Sequence, residues 1–381
     1  MACQEHFFHA YGGVVLIHHR VLLLVFLCFL SSALAAAPVV PVERINAWVL
    51  QEMRRQKIPG VAVAVVQGGR PVLARGFGLA NVELGVPVST RTVFQSGSLG
   101  KQFTAAAVML QVEEGRLSLD APLTRIFPDA PSAWTGITPR HLLTHTSGIP
   151  DYTEGLIDLR RDYSEDELLH AAYTLPSTFI PGERWQYSNT GYLLLGIVIR
   201  RVSGRFYGDL LAERIFTPLG MHSARVISEA AIVSNRAAGY RLEGGELRNQ
   251  EWVAPQLNTT ADGALYLSLE DMIAWDRGLR AGAVLLPESW RTIYTPVTLS
   301  DGSRYPYGFG WQVDTVAGGP RHFHSGSWQG FKTHFTRYLG PDLSIIVLAN
   351  LAEAEPARFV DGIAALVDPA LVRPGVSRAE D

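Results

Sequence analysis

The chain has 381 residues, with 33 Lys and Arg against 36 Asp and Glu, 47% hydrophobic and 18% charged. That length supports roughly two domains, or one large two-lobed domain with a sizeable core. The near-neutral balance excludes a clustered basic surface for nucleic acid, and 36 glycines with 22 prolines are too few for a collagenous or low-complexity chain.

The first element in chain order is a leader. His18, His19 and Arg20 precede the apolar run VLLLVFLCFL at 21–30, followed by SSALAAA. A basic stretch, about ten apolar residues and an A-x-A end predict a secretory signal peptide over residues 1–35, with Ala33 and Ala35 before the cut. The expected location is periplasmic or secreted. The run is short of the ~20 residues of a membrane span, so an uncleaved anchor is the second reading. Both cysteines, Cys3 and Cys28, lie in this leader. The mature chain then has no disulfide, no cysteine–zinc site and no cysteine nucleophile.

Residues 42–55 (VERINAWVLQEMRR) predict an amphipathic helix ending near Pro59 and Gly60. GVAVAVV and PVLARGFG, separated by QGGR at 67–70, predict a β-hairpin. Residues 98–114 have helical composition and stop at Gly115. Short helices are expected from Thr138 (TPRHLLTH) and Gly191 (GYLLLGIVIRRV), and another over 270–279. YGFGWQV, RHFHSGSW, KTHFTRYL and LSIIVLAN then read as strands, and 357–367 as an apolar helix. Strands at both ends of the chain with helices between predict an α+β fold: an antiparallel sheet flanked by helices, with an inserted helical lobe. The expected division is an α/β lobe over 38–115 and 265–371, a helical lobe over 116–264, and a polar tail over 372–381.

Only three lysines occur, Lys57, Lys101 and Lys332, against thirty arginines. Lys101 closes the sequence Ser98-Leu99-Gly100-Lys101 at the start of a predicted helix. Positions i and i+3 share a helix face, so the hydroxyl and the amine can meet. The helix N-terminus favours negative charge developing on the serine. A desolvated lysine can act as a base, whereas arginine cannot. The bland alternative is a capping serine beside a solvated lysine, and S-x-x-K arises by chance in roughly one such sequence in five. Tyr187-Ser188-Asn189 supplies a phenol that can relay a proton and an amide that can hold a substrate carbonyl and the lysine. Blandly, Ser188 or Asn189 caps a helix and Tyr187 packs. His324-Ser325-Gly326-Ser327 lies in a strand, where glycine admits substrate backbone and the next N–H can face an oxyanion. Each motif alone is weak. Their order and context together are specific.

With these three motifs the chain resembles the serine β-lactamase and penicillin-binding-protein superfamily. The likeness is strongest to the class C β-lactamase-related branch, which includes D,D-carboxypeptidases, D-aminopeptidases and esterases. LLTHTSGIP at 142–150 and GALYLSLEDM at 263–272 are similar to stretches of that branch, and the resemblance spans about 42–367. It implies Ser98 as acylated nucleophile, Lys101 as base, Tyr187 as proton shuttle and Asn189 as the group orienting substrate and lysine. It also implies His324, Ser325 and Gly326 as the substrate-binding strand, with the N–H groups of Ser98 and Ser327 as oxyanion hole. The implied activity is that of an exported serine hydrolase working through an acyl-enzyme on an amide or ester. D-amino-acid peptide or cell-wall-related substrates come first, then small esters or weak β-lactam hydrolysis. Class C β-lactamases carry lysine where this chain has His324, a weaker carboxylate anchor, so efficient β-lactam hydrolysis is not expected. The partner is a small-molecule or peptide substrate; no nucleic acid, cofactor, metal or membrane span after leader removal is implied.

Other readings are weaker. A penicillin-binding sensor or scaffold that never turns over would not need nucleophile, base and tyrosine together. His141 and His145 have the i, i+4 spacing of zinc ligands but lack the H-E-x-x-H glutamate. His322 and His324 share a strand face with no third ligand indicated. Residues 96–100 only approach the G-x-S-x-G elbow. Trp311, Trp328 and Phe331 read as core rather than site lining.

Overall fold

The computed structural model describes residues 40–372, so the expected leader and all but the first residue of the expected tail lie outside the described residues. Helix α1 (Val42–Gln56) places Ile45, Val49 and Met53 on one buried stripe and ends on Lys57 in a left-handed conformation. Strands β1 (Gly60–Gln67) and β2 (Arg70–Asn81) form the expected hairpin. Its two-residue turn is Gly68-Gly69, both at positive φ, which suits the twist of the paired strands. Strands β3 (Val86–Pro87) and β4 (Val93–Gln95) follow, then a 3-10 turn (Gly97–Gly100) leading into α2 (Lys101–Glu113).

The middle of the chain carries α3 (Pro139–Leu143), α4 (Glu165–Thr174), α5 (Asn189–Ser203) and α6 (Tyr207–Leu211), strand β5 (Arg225–Val226) and the hairpin β6 (Tyr240–Glu243) and β7 (Glu246–Asn249). That hairpin sits beside the end of the sheet, where the Tyr240 N–H bonds Asn350 O and the Ala238 N–H bonds Ala80 O. Strand β8 (Leu265–Ser268) leads into α7 (Leu269–Arg280), whose start is fixed by a capping box between Ser268 and Asp271, as the SLED sequence favours. Then come α8 (Pro287–Ile293), β9 (Val297–Thr298), β10 (Arg304–Tyr305), β11 (Gln312–Val316), β12 (Gly319–Trp328), β13 (Phe331–Tyr338), β14 (Leu343–Ala349) and α9 (Pro356–Val367).

The main sheet has seven strands in the order β11-β12-β13-β14-β1-β2-β3, with every pair antiparallel. The two chain ends meet at β1 and β14, in the register Val63↔Val347. Both strands are buried on both faces, which is why they read as unbroken apolar runs. Alternation sorts the side chains. Val61, Val63, Val65, Ile345 and Val347 pack under α1 and α9, whereas Ala62, Ala64, Ile346 and Leu348 join the larger core around α2 and α7. Each fully buried valine or isoleucine contributes about 1.5–3 kcal/mol, and the small alanines let α7 come close to the sheet. A buried ionic knot ties α7 to this sheet. Asp276 accepts from Arg280 (3.0 Å), Arg337 (3.0 Å) and the Ser344 hydroxyl (2.7 Å).

The structure departs from the expected strand at YGFGWQV. Only Gln312 onward is strand, and residues 307–311 turn across the start of α2. A side chain at Gly310 would meet the Lys101 carbonyl at 2.6 Å. A second sheet, β4-β8-β5, was also not legible in the sequence. It lays GALYLSLEDM beside the strand that delivers Ser98, through Gln95↔Tyr266 and the bond from Ser96 N–H to Leu265 O.

Candidate active site

Strand β4 ends at Gln95, and the chain turns at once into the 3-10 turn carrying Ser98, ahead of the N-terminus of α2. Gly97 has φ 53°, and a Cβ there would lie 2.4 Å from the Ser327 nitrogen. A Cβ on Gly326 would lie 2.0 Å from the Ser96 carbonyl. Only glycine at these positions lets the Ser98 turn and strand β12 touch backbone to backbone. Residues 98 and 327 each follow one of these glycines, so both lie at the contact between the turn and the strand.

Lys101 is fully buried. Its Nζ lies 3.1 Å from Ser98 Oγ, 2.6 Å from Asn189 Oδ1 and 2.6 Å from the Asp262 carbonyl. Three acceptors match the three protons of an ammonium. A neutral amine has only two protons; the two short bonds use them, and the lone pair is left facing Ser98. Burial pushes the Lys101 amine down to about 8, while Asp262 and Asp151 pull the other way. Desolvation is the largest of these effects, and both acids also hold neighbouring groups. Tyr152 donates to Asp262 Oδ2 at 2.9 Å, and Asp151 is occupied by Asn189.

Tyr187-Ser188-Asn189 forms the entrance to α5, with Ser188 as N-cap. The Tyr187 ring centroid is 4.9 Å from Lys101 Nζ. Burial holds its phenol well above 10, opposed by a hydrogen bond with Ser98. Asp151 Oδ2 accepts from both the Asn189 backbone N–H (2.9 Å) and Nδ2 (2.8 Å). A carboxylate only accepts, so the amide cannot flip, and Oδ1 is committed to Lys101.

On β12, Gly326 faces the Ser98 turn and is buried with His324, while Ser325 and Ser327 are exposed on the alternate face. Strand β11 pairs with β12 only as far as Gln312↔Phe323, so residues 324–328 present a backbone edge without a β11 partner. The His324 ring does not reach into solvent. Its Nε2 is 2.9 Å from the Tyr307 hydroxyl and its Nδ1 is 2.6 Å from the Ser325 carbonyl. Burial pushes His324 down to about 3, the Ser325 bond opposing and Lys101 adding to the shift. At neutral pH it carries no charge.

A profile of the Beta-lactamase family matches residues 45–368. The chain belongs to the β-lactamase family. A penicillin-binding protein of Bacillus subtilis is 32% identical over 311 residues, covering 76% of this chain and 68% of its own. A D-aminopeptidase of Gluconobacter oxydans is 31% identical over 305 residues, covering 77% of this chain and 56% of its own; the chain thus spans little more than half of that relative's length. The solved structure of an octameric penicillin-binding protein homologue from Pyrococcus abyssi superposes with a TM-score of 0.75 at 29% identity, over 86% of this chain and 76% of that one. This β-lactamase-family chain is a serine hydrolase with the α+β fold of its relatives.

The polar network around Lys101 and His324 includes four residues that motif reading passed over. Asp151 stands one position beyond LLTHTSGIP, and Asp262 one before GALYLSLEDM. His145, weighed only as a metal ligand, is buried with Nε2 3.1 Å from the same Tyr307 hydroxyl. Tyr307 belongs to the segment read as strand. Among the described residues no group of three His, Cys, Asp or Glu could hold a metal. Trp311 and Phe331 are core, and Trp328 is half-buried with its indole N–H on Asn258. A cavity of about 270 Å³ between α4, α5 and residues 256–261 is lined by none of these residues.

Proposed function

We propose that this β-lactamase-family enzyme is an exported hydrolase that acylates Ser98 with D-amino-acid amides or peptides, in the manner of a D-aminopeptidase or amidase. The observation that carries the reading is the Lys101 amine, fully buried 3.1 Å from Ser98 Oγ, where burial pushes it down to about 8. Lys101 takes the Ser98 proton as Oγ attacks the substrate carbonyl. The oxyanion is received by the N–H groups of Ser98 and Ser327. Tyr187, kept as a phenol by burial, gives its proton to the leaving nitrogen or oxygen and regains one from Lys101. Water then repeats the sequence on the ester, releasing the acid and restoring Ser98.

The neutral state of His324 supports the choice of substrate. A peptide cleaved at its C-terminus presents a carboxylate beside the scissile bond, and an uncharged imidazole offers it only weak attraction. Amides and esters without that carboxylate lose nothing there. The D-aminopeptidase relative supports the same preference. Export rests on the leader; among the described residues no helix is long and apolar enough to cross a membrane.

The test is steady-state hydrolysis of D-alanine p-nitroanilide against a dipeptide-terminated cell-wall peptide, with intact-mass detection of the acyl-enzyme and Ser98→Ala alongside. Faster turnover of the anilide, with an adduct absent from the variant, is expected. Release of C-terminal D-alanine as the faster reaction would move the assignment to a carboxypeptidase. An acylated enzyme that never turns over would make it a sensor, and full activity in Ser98→Ala would end the proposal.

A further inference from the structure

His145 and His324 stand on opposite sides of one hydroxyl, Tyr307 Oη, at 3.1 and 2.9 Å. All three side chains are buried. The two outer ends of this chain are backbone groups of fixed polarity. At one end the Ser188 N–H, which can only donate, bonds His145 Nδ1 at 3.1 Å. At the other the Ser325 carbonyl, which can only accept, lies 2.6 Å from His324 Nδ1. Every proton between them follows. Nδ1 of His145 is an acceptor, so its single proton is on Nε2 and is donated to Tyr307. The phenol proton then goes to His324 Nε2, and the His324 proton sits on Nδ1 and is donated to Ser325.

We propose that Tyr307 is a positioning residue of this hydrolase, its hydroxyl joining His145 and His324 into one directed hydrogen-bond chain that fixes the Tyr187–Asn189 turn against the free edge of strand β12. The chain runs from the N-cap of α5 through the loop after α3 and the turn before β11 to the substrate-facing strand. Those are the segments carrying the second and third motifs, which also meet through the Tyr187 and His324 rings, 6.5 Å apart between centroids. Each bond is short and buried; the Tyr192 hydroxyl also pairs with Tyr307, but only donation to His324 Nε2 satisfies that ring nitrogen, so the carbonyl of Ser325 and the Ser188 N–H are held relative to each other rather than to solvent. His324 in this arrangement is a neutral link. An extended substrate laid along residues 324–328 depends on this alignment more than a small ester that meets only Ser98 and the oxyanion donors.

The inference rests on the proposed hydrolase reading for its activity arm, and on geometry alone for its spectroscopic arm. Long-range proton–nitrogen spectra of the 15N-labelled full chain at pH 7 should show His324 protonated at Nδ1 and His145 at Nε2, assigned by their shifts in Tyr307→Phe. That variant removes one oxygen. It should lower kcat/KM at least tenfold for a D-alanyl peptide p-nitroanilide and less than threefold for p-nitrophenyl acetate, with its circular dichroism unchanged. A merely structural role would lower both substrates alike, and that result overturns the proposal. So does unchanged activity on both, or a wild-type spectrum with His324 protonated at Nε2. If Tyr307→Phe does not fold, the wild-type spectrum with His324→Gln and His145→Gln assignments decides. If neither substrate is hydrolysed by the wild type, the hydrolase reading fails while the proton order is judged on the spectrum.

Discussion

Lys101→Arg separates charge from basicity at the centre of the site. With the amine lowered to about 8, about a tenth of the molecules carry a neutral lysine at pH 7 and about one in a hundred at pH 6. Because the neutral form accepts the Ser98 proton, acylation rises with pH through about 8 and is lost below it, changing roughly fifty-fold between pH 6 and 8. Tyr187, held well above 10 by burial, adds no limb in this window. A guanidinium keeps the charge but does not deprotonate, so Lys101→Arg removes general-base catalysis, a loss of about 10²–10⁴-fold. Its fork must also fit a fully enclosed space with two acceptors set 2.6 Å from Nζ, which can only deepen the loss. The assay is stopped-flow acylation of Ser98 by an activated ester between pH 6 and 9, read as the burst rate. A flat wild-type profile, or an arginine variant acylating at a tenth of the normal rate or better, would refute the base assignment and leave Lys101 an electrostatic group.

Four further outcomes are expected. Asp151→Asn removes the carboxylate that fixes the Asn189 amide and should slow acylation about tenfold or more, measured as kcat/KM, with little change in unfolding midpoint. Gly326→Ala drives a methyl into the Ser96 carbonyl and should abolish the acyl-enzyme by intact mass while the protein remains folded. Asp276→Ala leaves the Arg337 and Arg280 guanidinium groups without their shared partner inside the protein and should cost about 3–5 kcal/mol in urea unfolding. Acid should destabilise the enzyme early. Burial lowers His145, His322 and His324, the last two to about 4 and about 3, so the folded state keeps them neutral while the unfolded chain protonates them below pH ~6.5. Stability should therefore fall as pH drops from 6.5 towards 4, by up to about 4 kcal/mol per pH unit near pH 5.5 if all three contribute. Urea titrations at pH 7, 6 and 5.5 measure it, and a constant free energy across them would show that these rings are hydrated.

The local elements were legible because their signals are local. Val and Ala alternate in β1, the Gly68-Gly69 turn announces its hairpin, and S-L-E-D announces the capping box of α7. Ser98, Lys101, Tyr187 and Asn189 stood out because the hydroxyl, amine, phenol and amide that acyl transfer needs occur in a set order, and the structure gathers them around one nitrogen, Lys101 Nζ. Residues 307–311 were misread because an aromatic–glycine alternation has the period of a strand, whereas packing on α2 demands a turn at Gly310. Asp151, Asp262, His145 and Tyr307 carry no signal of their own; an aspartate after a proline or a tyrosine before a glycine is ordinary until a partner is known. What the sequence by itself determined was the period of each element and the chemical types available at the site, since both follow from neighbours along the chain. The tertiary structure alone decided that Lys101 is dry enough to lose its proton and that His324 is a neutral link, because desolvation and donor–acceptor order depend on groups far apart in the chain that meet only when the core closes.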